Sequence, residues 1–248
     1  MNPIIYVILA IILVVILYYV YIYATYTPII AKTVDLNTIQ DNLIKIESSN
    51  PNFMPNGSKG TNNIQNIKYT YSLWIYINVL APIGNDQTLL TFGPANDLTP
   101  VSSYFRIYLD SADTANLSLD IKCESNIKTI IISPNFPLQR WTNVIVSVDN
   151  TFVDIYQDGK LVLSSAINKP GDAYGQIKKP DINSGVLFGS SQNTQDITLG
   201  NVMRWPYPID PATAYSIYQQ GNGQPSAGGV SLHLWSKAGD NGIKNTLF

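Results

Sequence analysis

The feature that most constrains this chain is a two-residue alternation of apolar and polar side chains. Between Tyr69 and Val79, apolar residues occupy every second position, and Thr70, Ser72 and Asn78 are among the residues between them. This period places the two sets of side chains on opposite faces of a β-strand. We therefore predict a long, half-buried strand here.

Shorter segments with strand character follow at regular intervals: 104–109, 117–122, 128–132, 141–148, 152–157, 160–166, 186–189, 197–203 and 230–235. Asp158-Gly159 separates two of them, and this pair supplies the positive backbone angles of a two-residue hairpin. About ten short strands separated by turn signals predict an all-β fold, a two-sheet antiparallel jelly-roll sandwich.

One helix is predicted within this region, over residues 212–220. Asp210 supplies an N-cap, Pro211 suits the first turn, and Gly221 can adopt the left-handed conformation that ends a helix.

The N-terminus carries an apolar run, Ile4 to Tyr23, of about the length that spans a hydrocarbon core. A signal peptide would need a positive start and small residues at its exit, so we predict a transmembrane anchor over residues 1–31. This gives a single-pass membrane protein with the lipid bilayer as a partner. The orientation of a span is predicted from an excess of Lys and Arg on one side. Only Lys32 lies close to this run, so the sequence does not predict the orientation of the anchor.

Residues 32–66 are predicted to form a stem or linker before a domain over residues 67–248. Leu36, Ile39, Leu43 and Ile46 recur at the three- and four-residue steps of a short helix. That helix either packs on its own domain, lies near the membrane or forms a short coiled coil. The Asn-, Gly- and Ser-rich segment 52–66 reads as a connection.

The charge and the counts of cysteine and histidine exclude several kinds of binding site. A net charge of −2 with 13% charged residues gives no basic field for nucleic acid. The single cysteine, Cys123, excludes a disulfide within the chain. The single histidine, His233, excludes multi-histidine zinc sites and is interpreted as an outward-facing strand residue.

Several segments together resemble the concanavalin A-like lectin/glucanase superfamily, especially its laminin-G-like and pentraxin-like members. A tryptophan opens a strand, and an aromatic-x-Asp-Gly hairpin follows. The segments that carry the resemblance are Tyr71–Tyr76, Leu90–Gly93, Phe136–Val148, Phe152–Val162, Ala214–Tyr218 and Gly221–Gly223. The resemblance covers residues 68–236 and implies the jelly-roll fold. The composition also looks like that of virion proteins of large double-stranded DNA viruses.

The resemblance raises the question of hydrolysis, which needs two carboxylates facing one cleft. The nearest pairs, Asp120 with Glu124 and Asp154 with Asp158, are spaced four residues apart. We interpret them as solvated strand faces and a turn, and predict that the chain is not an enzyme.

Lectin-type relatives often bind calcium, and the resemblance makes Asp110 and Asp113 candidate calcium ligands. No other cofactor is predicted. Trp205, Tyr207 and Tyr174 are candidates to contact a glycan or a partner, because exposed aromatic rings stack on sugars. The alternative is that these rings plug the ends of the sandwich.

The predicted function is a non-catalytic, membrane-anchored structural or adhesion protein. The viral likeness implies a minor capsid or virion membrane protein that links an internal membrane, of the virion or derived from the host, to capsid or coat proteins. The alternative is a membrane-anchored lectin that binds carbohydrate. A divergent, inactive glucanase is a third hypothesis.

Overall fold

A computed structural model describes residues 3–25, 29–36, 43–45, 67–80, 86–94, 96–110, 115–167, 173–181, 183–189 and 196–223. Its helices are α1 (Pro3–Thr25) and α2 (Pro211–Gln219). The strands are β1 (Ile29–Asp35), β2 (Leu43–Lys45), β3 (Lys68–Val79), β4 (Gln87–Pro94), β5 (Phe105–Leu109), β6 (Leu117–Lys122), β7 (Ile127–Ser133), β8 (Thr142–Asp149), β9 (Phe152–Gln157), β10 (Lys160–Ala166), β11 (Ser184–Phe188) and β12 (Asp196–Trp205).

The strands form two antiparallel sheets, each with six strands. Sheet A has the order β1-β12-β3-β8-β9-β10, and sheet B has the order β2-β11-β4-β5-β6-β7. All of the strand pairs are antiparallel. The predicted all-β, two-sheet antiparallel sandwich is confirmed.

The core between the sheets follows the alternation of the sequence. In β3, Tyr71, Leu73, Ile75 and Ile77 are fully buried and belong to this core. The residues between them point to the opposite face of sheet A, as a period of two requires. We call this the outer face of sheet A, and the corresponding face of the second sheet is the outer face of sheet B.

Aromatic rings from both sheets interlock at the centre of the core. The ring of Tyr71 stacks on Phe105 with the centroids 4.9 Å apart, and Tyr69 meets Phe92 and Phe105 edge to face. Arg204 is also buried there, with its guanidinium carbon 5.8 Å from the ring centre of Tyr71. Burial raises the pKa of Tyr71 to about 12, although Arg204 opposes the shift. Tyr71 is therefore a neutral phenol at ordinary pH.

The structure contradicts the predicted membrane localisation. In the described part of the chain, no helix is both long enough and apolar enough to cross a membrane. The single-pass assignment, in a virion or host-derived internal membrane, is corrected accordingly.

Two strands come from the region predicted to be an anchor and stem. β1 pairs with β12 at one edge of sheet A, and β2 pairs with β11 at one edge of sheet B. The short helix predicted through Leu36 and Leu43 is wrong where it is described, because residues 43–45 form a strand. Val34 and Leu36 enter the core instead. The predicted strand 230–235, with His233, lies outside the described residues.

Candidate functional site

Helix α2 packs on the outer face of sheet A. Its N-cap is Asp210, whose Oδ1 accepts a hydrogen bond from the backbone N of Thr213 at 2.8 Å. That hydrogen bond is the largest cause of the lowered pKa of Asp210. Ala214 and Ile217 are the buried residues of the helix. They join a second apolar cluster with Ile145, Tyr156, Met203, Trp205 and Ile209.

The segment that leads into α2 is fixed to the sheet by hydrogen bonds. Thr70 donates its hydroxyl to the carbonyl of Tyr207 at 2.8 Å, and the backbone N of Ile209 donates to the hydroxyl of Ser147 at 3.0 Å. Thr70 and Ser147 are polar residues that face each other on the adjacent strands β3 and β8. They hold α2 at a defined place on the outer face.

Five aromatic residues lie on this face, and we call them the aromatic patch: Trp74, Tyr76, Trp141, Tyr215 and Tyr218. The ring of Tyr218 stacks on Trp74 with the centroids 5.5 Å apart and the planes 20° apart. The rings of Tyr76 and Trp141 also lie 5.5 Å apart. Trp141 fits closely over Gly200, where a Cβ atom would lie 3.2 Å from its ring.

The hairpin turn between β9 and β10 lies against the end of the patch. Asp158 and Gly159 have φ angles of 49° and 74°, as the Asp-Gly pair predicts. A Cβ atom on Gly159 would lie 3.0 Å from the Cβ of Tyr218 and 3.1 Å from the ring of Tyr215. Glycine is therefore required both for the turn and for the close approach of α2.

Asp158 is held by two groups that fix the turn. Its carboxylate forms an ion pair with Arg140, and its Oδ1 accepts a hydrogen bond from the backbone N of Asn143 at 2.9 Å. The backbone N of Asp158 donates to the carbonyl of Asn143 at 2.9 Å. The turn is thereby tied to the start of β8.

An open groove of about 580 Å³ runs between the hairpin and α2. Its lining residues are Gln157, Asp158, Lys160, Val162, Tyr215 and Tyr218. Tyr215 and Val162 are each 49% exposed, which is high for large apolar side chains. The groove is therefore a shallow surface with an apolar centre and polar groups beside it.

Comparison with known proteins now places the chain in a family. The family model described as the concanavalin A-like lectin/glucanases superfamily, of laminin-G type, matches residues 55–201, more than half of the chain. The chain belongs to this superfamily. The predicted resemblance is confirmed, and the jelly-roll sandwich is the fold that the superfamily implies. No curated protein matches the chain.

Solved structures with the same fold include domains of botulinum neurotoxins. The serotype D ligand binding domain in complex with N-acetylneuraminic acid has a TM-score of 0.50 and 13% identity, covering 79% of this chain and 44% of that one. The receptor binding domain of mosaic serotype C/D has a TM-score of 0.50 and 15% identity, with coverages of 76% and 45%. This chain spans less than half the length of either structure. At these identities the likeness concerns the fold alone.

The structure separates the aromatic residues that the sequence singled out. Trp205 is 8% exposed and packs in the apolar cluster under α2. Tyr207 is 45% exposed, on the segment that leads into α2. Tyr174 is half-buried against the core between the sheets, with the amine of Lys128 5.2 Å from its ring centre. Their roles as ligand contacts stay predictions, and none of the three lines the groove.

Of the two predicted calcium ligands, Asp110 and Asp113, only Asp110 lies in the described part of the chain. Asp110 directly follows β5, and its backbone N donates to the carbonyl of Asn116 at 3.1 Å. Asp113 lies outside the described residues. Within the described ranges, no group of three His, Cys, Asp or Glu residues could hold a metal ion. Calcium binding stays a prediction.

Three of the four carboxylates considered for glucanase chemistry, Asp120, Asp154 and Asp158, form local side-chain contacts. Asp120 accepts hydrogen bonds from Arg106, Tyr108 and Thr129 on the outer face of sheet B. Asp154 lies in β9 and accepts a hydrogen bond from Ser164 in the adjacent β10. Asp154 and Asp158 therefore act within one hairpin, and Asp120 belongs to a different face of the molecule.

Sequence reasoning missed the groove because its two walls lie far apart in the chain. Tyr215 and Tyr218 were seen only as landmarks of the superfamily. A usable signal was present, since Ala214 and Ile217 are spaced as one helix face, and Tyr215 and Tyr218 recur at the same spacing one position later. Two tyrosines placed one position after the buried residues of a helix lie beside its buried face, where their rings are partly exposed.

Proposed function

We propose that this chain is a non-catalytic adhesion domain that binds a partner protein through the groove between α2 and the β9–β10 hairpin. The observation that carries the proposal is the pair of half-exposed side chains Tyr215 and Val162 in that groove. Tyrosine offers a large apolar ring with a polar tip and loses little conformational entropy on binding. Such residues provide much of the binding energy at protein interfaces.

The rigidity of the surroundings supports this assignment. The Asp210 cap, the hydrogen bonds from Thr70 and to Ser147, and the stacking of Tyr218 on Trp74 hold α2 before any partner arrives. A surface that is already ordered loses less entropy when it binds. The groove is therefore suited to stable adhesion.

The local contacts of the carboxylates support a non-catalytic role. A glycosidase needs one carboxyl group to donate a proton and another to act as nucleophile or base in the same cleft. Asp158 is the carboxylate of the groove, and it is paired with Arg140. Asp120 lies on the other sheet among hydrogen-bond donors.

The partner protein is proposed from the sequence to be a capsid or coat protein, which would make this domain a structural part of a protein shell. The groove adds a physical requirement to that proposal. The partner must present apolar side chains to Tyr215 and Val162, because a wholly polar surface would leave their exposed apolar area without a gain from burial.

Carbohydrate binding is a second candidate, favoured by two buried polar atoms on the same face. Trp74 is 7% exposed and Asn143 is fully buried, and they are register partners in adjacent strands. Trp74 Nε1 and Asn143 Oδ1 have no hydrogen-bond partner in the described part of the chain. Neither atom is exposed to solvent, so a sugar hydroxyl would reach them only if the covering side chains moved aside, and it would then accept from Trp74 Nε1 and donate to Asn143 Oδ1. The serotype D domain of similar fold was solved with N-acetylneuraminic acid.

The test compares two tyrosines of similar exposure. Tyr215 (49% exposed) lines the groove, whereas Tyr207 (45% exposed) does not, so Tyr215→Ala and Tyr207→Ala form a matched pair. A phage library of random peptides is selected on the full-length chain, and the chain is applied to a glycan array. We expect selected peptides to lose at least about tenfold in affinity on Tyr215→Ala, the loss typical of a central interface residue. Tyr207→Ala should leave their affinity unchanged.

The other outcomes are equally informative. Specific glycan signals that disappear in Tyr215→Ala, without peptide binders, would replace the protein partner with carbohydrate. Binding that depends on Tyr207 and not on Tyr215 would reject the groove and support the aromatic residues singled out from the sequence.

A further inference from the structure

Strand β10 is an edge of sheet A and forms one side of the groove. Among the described strands it pairs only with β9. An edge strand presents backbone N–H and C=O groups that can pair with another chain. Leu161 and Val162 are each 49% exposed on this strand. The edge is therefore accessible beside the apolar centre of the groove.

The other three edges of the sandwich are less suited to strand addition. β1 carries the charged residues Lys32 and Asp35, β2 has three residues, and β7 carries Lys128 in its interior. Charges and short length are common protections of edge strands. The only charged residue of β10 is Lys160 at its first position. The pairing of β10 with β9 shifts register between Leu161 and Leu163 and is regular from Leu163 to Ala166, so residues 163–166 are the regular part of the edge that an added strand would pair with.

Helix α2 provides the wall opposite this edge. A strand added to β10 would direct alternate side chains towards one face of sheet A. On the outer face these side chains would meet Tyr215, Tyr218 and Val162, which line the groove. Backbone pairing would supply affinity, and the groove would supply selectivity for the alternate side chains.

The charges at the groove indicate the sign of the partner. Asp158 is neutralised by its ion pair with Arg140. Lys160 has no ion-pair partner among the described residues, and it is exposed at the end of the edge. The charge that remains to be matched is positive, so a carboxylate is the complementary group.

We propose that β10 and the groove bind an extended segment of a partner protein, which adds to sheet A as a further strand. The segment has apolar side chains at alternate positions, facing Tyr215 and Val162, and an acidic residue near Lys160. This inference rests on the proposed function and specifies how the protein partner is recognised.

The experiment uses peptides selected on the full-length chain and their backbone-methylated analogues. Methylation of an amide nitrogen removes a hydrogen-bond donor and keeps the side chain. Two sets are made, one methylated at odd positions and one at even positions. We expect one set to lose at least about tenfold in affinity and the other to change little, because a strand directs alternate amides towards its neighbour.

A charge exchange tests the predicted acidic residue. Lys160→Glu should weaken binding of peptides with an acidic residue by about fivefold, and replacing that residue with lysine should restore the affinity. Hydrogen exchange should show new amide protection in residues 160–166 when the peptide binds. Lys160→Gln is the milder control, with a smaller loss.

Failure of this inference is distinguishable from failure of the proposed function. If both methylated sets bind equally well while Tyr215→Ala still weakens binding, the groove is used without strand addition. If β10 amides become protected as the concentration of the chain alone rises, a second copy occupies the edge, and the partner segment is rejected.

Discussion

The outer faces of the two sheets differ in their chemistry. On sheet A, helix α2 packs against the strands through an apolar cluster to which both the strands and the helix contribute. On sheet B, Arg106 and Asp120 are 5% and 8% exposed within a network of side chains. The first arrangement leaves aromatic rings at its margin, whereas the second joins charged groups to one another. Only the face of sheet A therefore offers exposed aromatic rings beside a groove.

The network on sheet B pairs the buried charged groups of that face with one another. The guanidinium of Arg106 contacts Asp120 at 3.1 Å and Asp86 at 2.8 Å, and lies 3.7 Å from the ring centre of Tyr108. Asp120 also accepts from the hydroxyl of Thr129 at 2.6 Å. The donors and acceptors already satisfy one another, so a ligand would have to replace contacts that exist. We assign this network to stability.

The largest effect should come from breaking that network. Arg106→Met keeps much of the side-chain volume but leaves the buried carboxylate of Asp120 without its cation. Removal of one partner of a buried ion pair typically costs about 3–5 kcal/mol in the free energy of unfolding. Urea denaturation of the full chain measures the loss.

The exposed ion pair of sheet A is the control for that variant. The side chain of Arg140 is 56% exposed, so Arg140→Met should cost about 0–1 kcal/mol. The double variant Arg106→Met/Asp120→Leu should recover much of the stability, because no buried charge is left alone. Equal losses for Arg106→Met and Arg140→Met would show that burial does not distinguish the two faces.

A smaller effect is expected at two glycines, one in the β9–β10 turn and one just after α2. Gly159 and Gly221 have nearly the same φ, 74° and 75°, so alanine is strained at both. A Cβ atom at Gly159 would press on Tyr215 and Tyr218, whereas one at Gly221 would meet nothing within 4 Å. We expect a cost of about 1 kcal/mol for Gly221→Ala and about 2–3 kcal/mol for Gly159→Ala in urea denaturation.

The difference between these variants isolates the contact of α2 with the hairpin. Gly159→Ala should also weaken any binding that depends on Tyr215, and Gly221→Ala should not. Similar losses of stability in both variants would mean that the helix moves away from the hairpin easily, which would weaken the argument for a rigid groove.

The sequence was most informative where local chemistry determines structure. The alternation through Tyr71, Leu73 and Ile75 predicts which face of β3 enters the core, because a strand has a fixed period of two. Asp158-Gly159 predicts the turn, and Asp210-Pro211 predicts the start of α2, because both depend on the backbone preferences of neighbouring residues.

Pairings between distant segments could not be predicted in the same way. β1 and β2 come from a region whose apolar spacing also suits a helix, and their partners β12 and β11 lie more than a hundred residues away. The sequence leaves open whether Trp205 contacts a ligand or plugs the sandwich, because it does not reveal that α2 covers the ring. The groove exists only because α2 and the β9–β10 hairpin meet, so it has no local pattern.

The smallest effect concerns the carboxylate that begins α2. The pKa of Asp210 is lowered, first by the backbone N–H of Thr213 and then by its hydroxyl. A carboxyl group with a lowered folded-state pKa stabilises the fold above its unfolded-state pKa, and this contribution is lost as the pH falls through the folded-state value. Acidification below about pH 4 should therefore loosen the first turn of α2.

Amide exchange at Thr213 and Ala214, measured between pH 6 and pH 3 and corrected for intrinsic rates, tests this loosening. Asp210→Asn keeps an oxygen acceptor but cannot titrate, so its protection should not show the acid-dependent step. Asp210→Ala should lower protection at every pH, because it removes the acceptor itself. If the native chain and Asp210→Asn lose protection in parallel, another group controls the acid response. The edge of the groove formed by Tyr215 would then depend on contacts with sheet A more than on the helix cap.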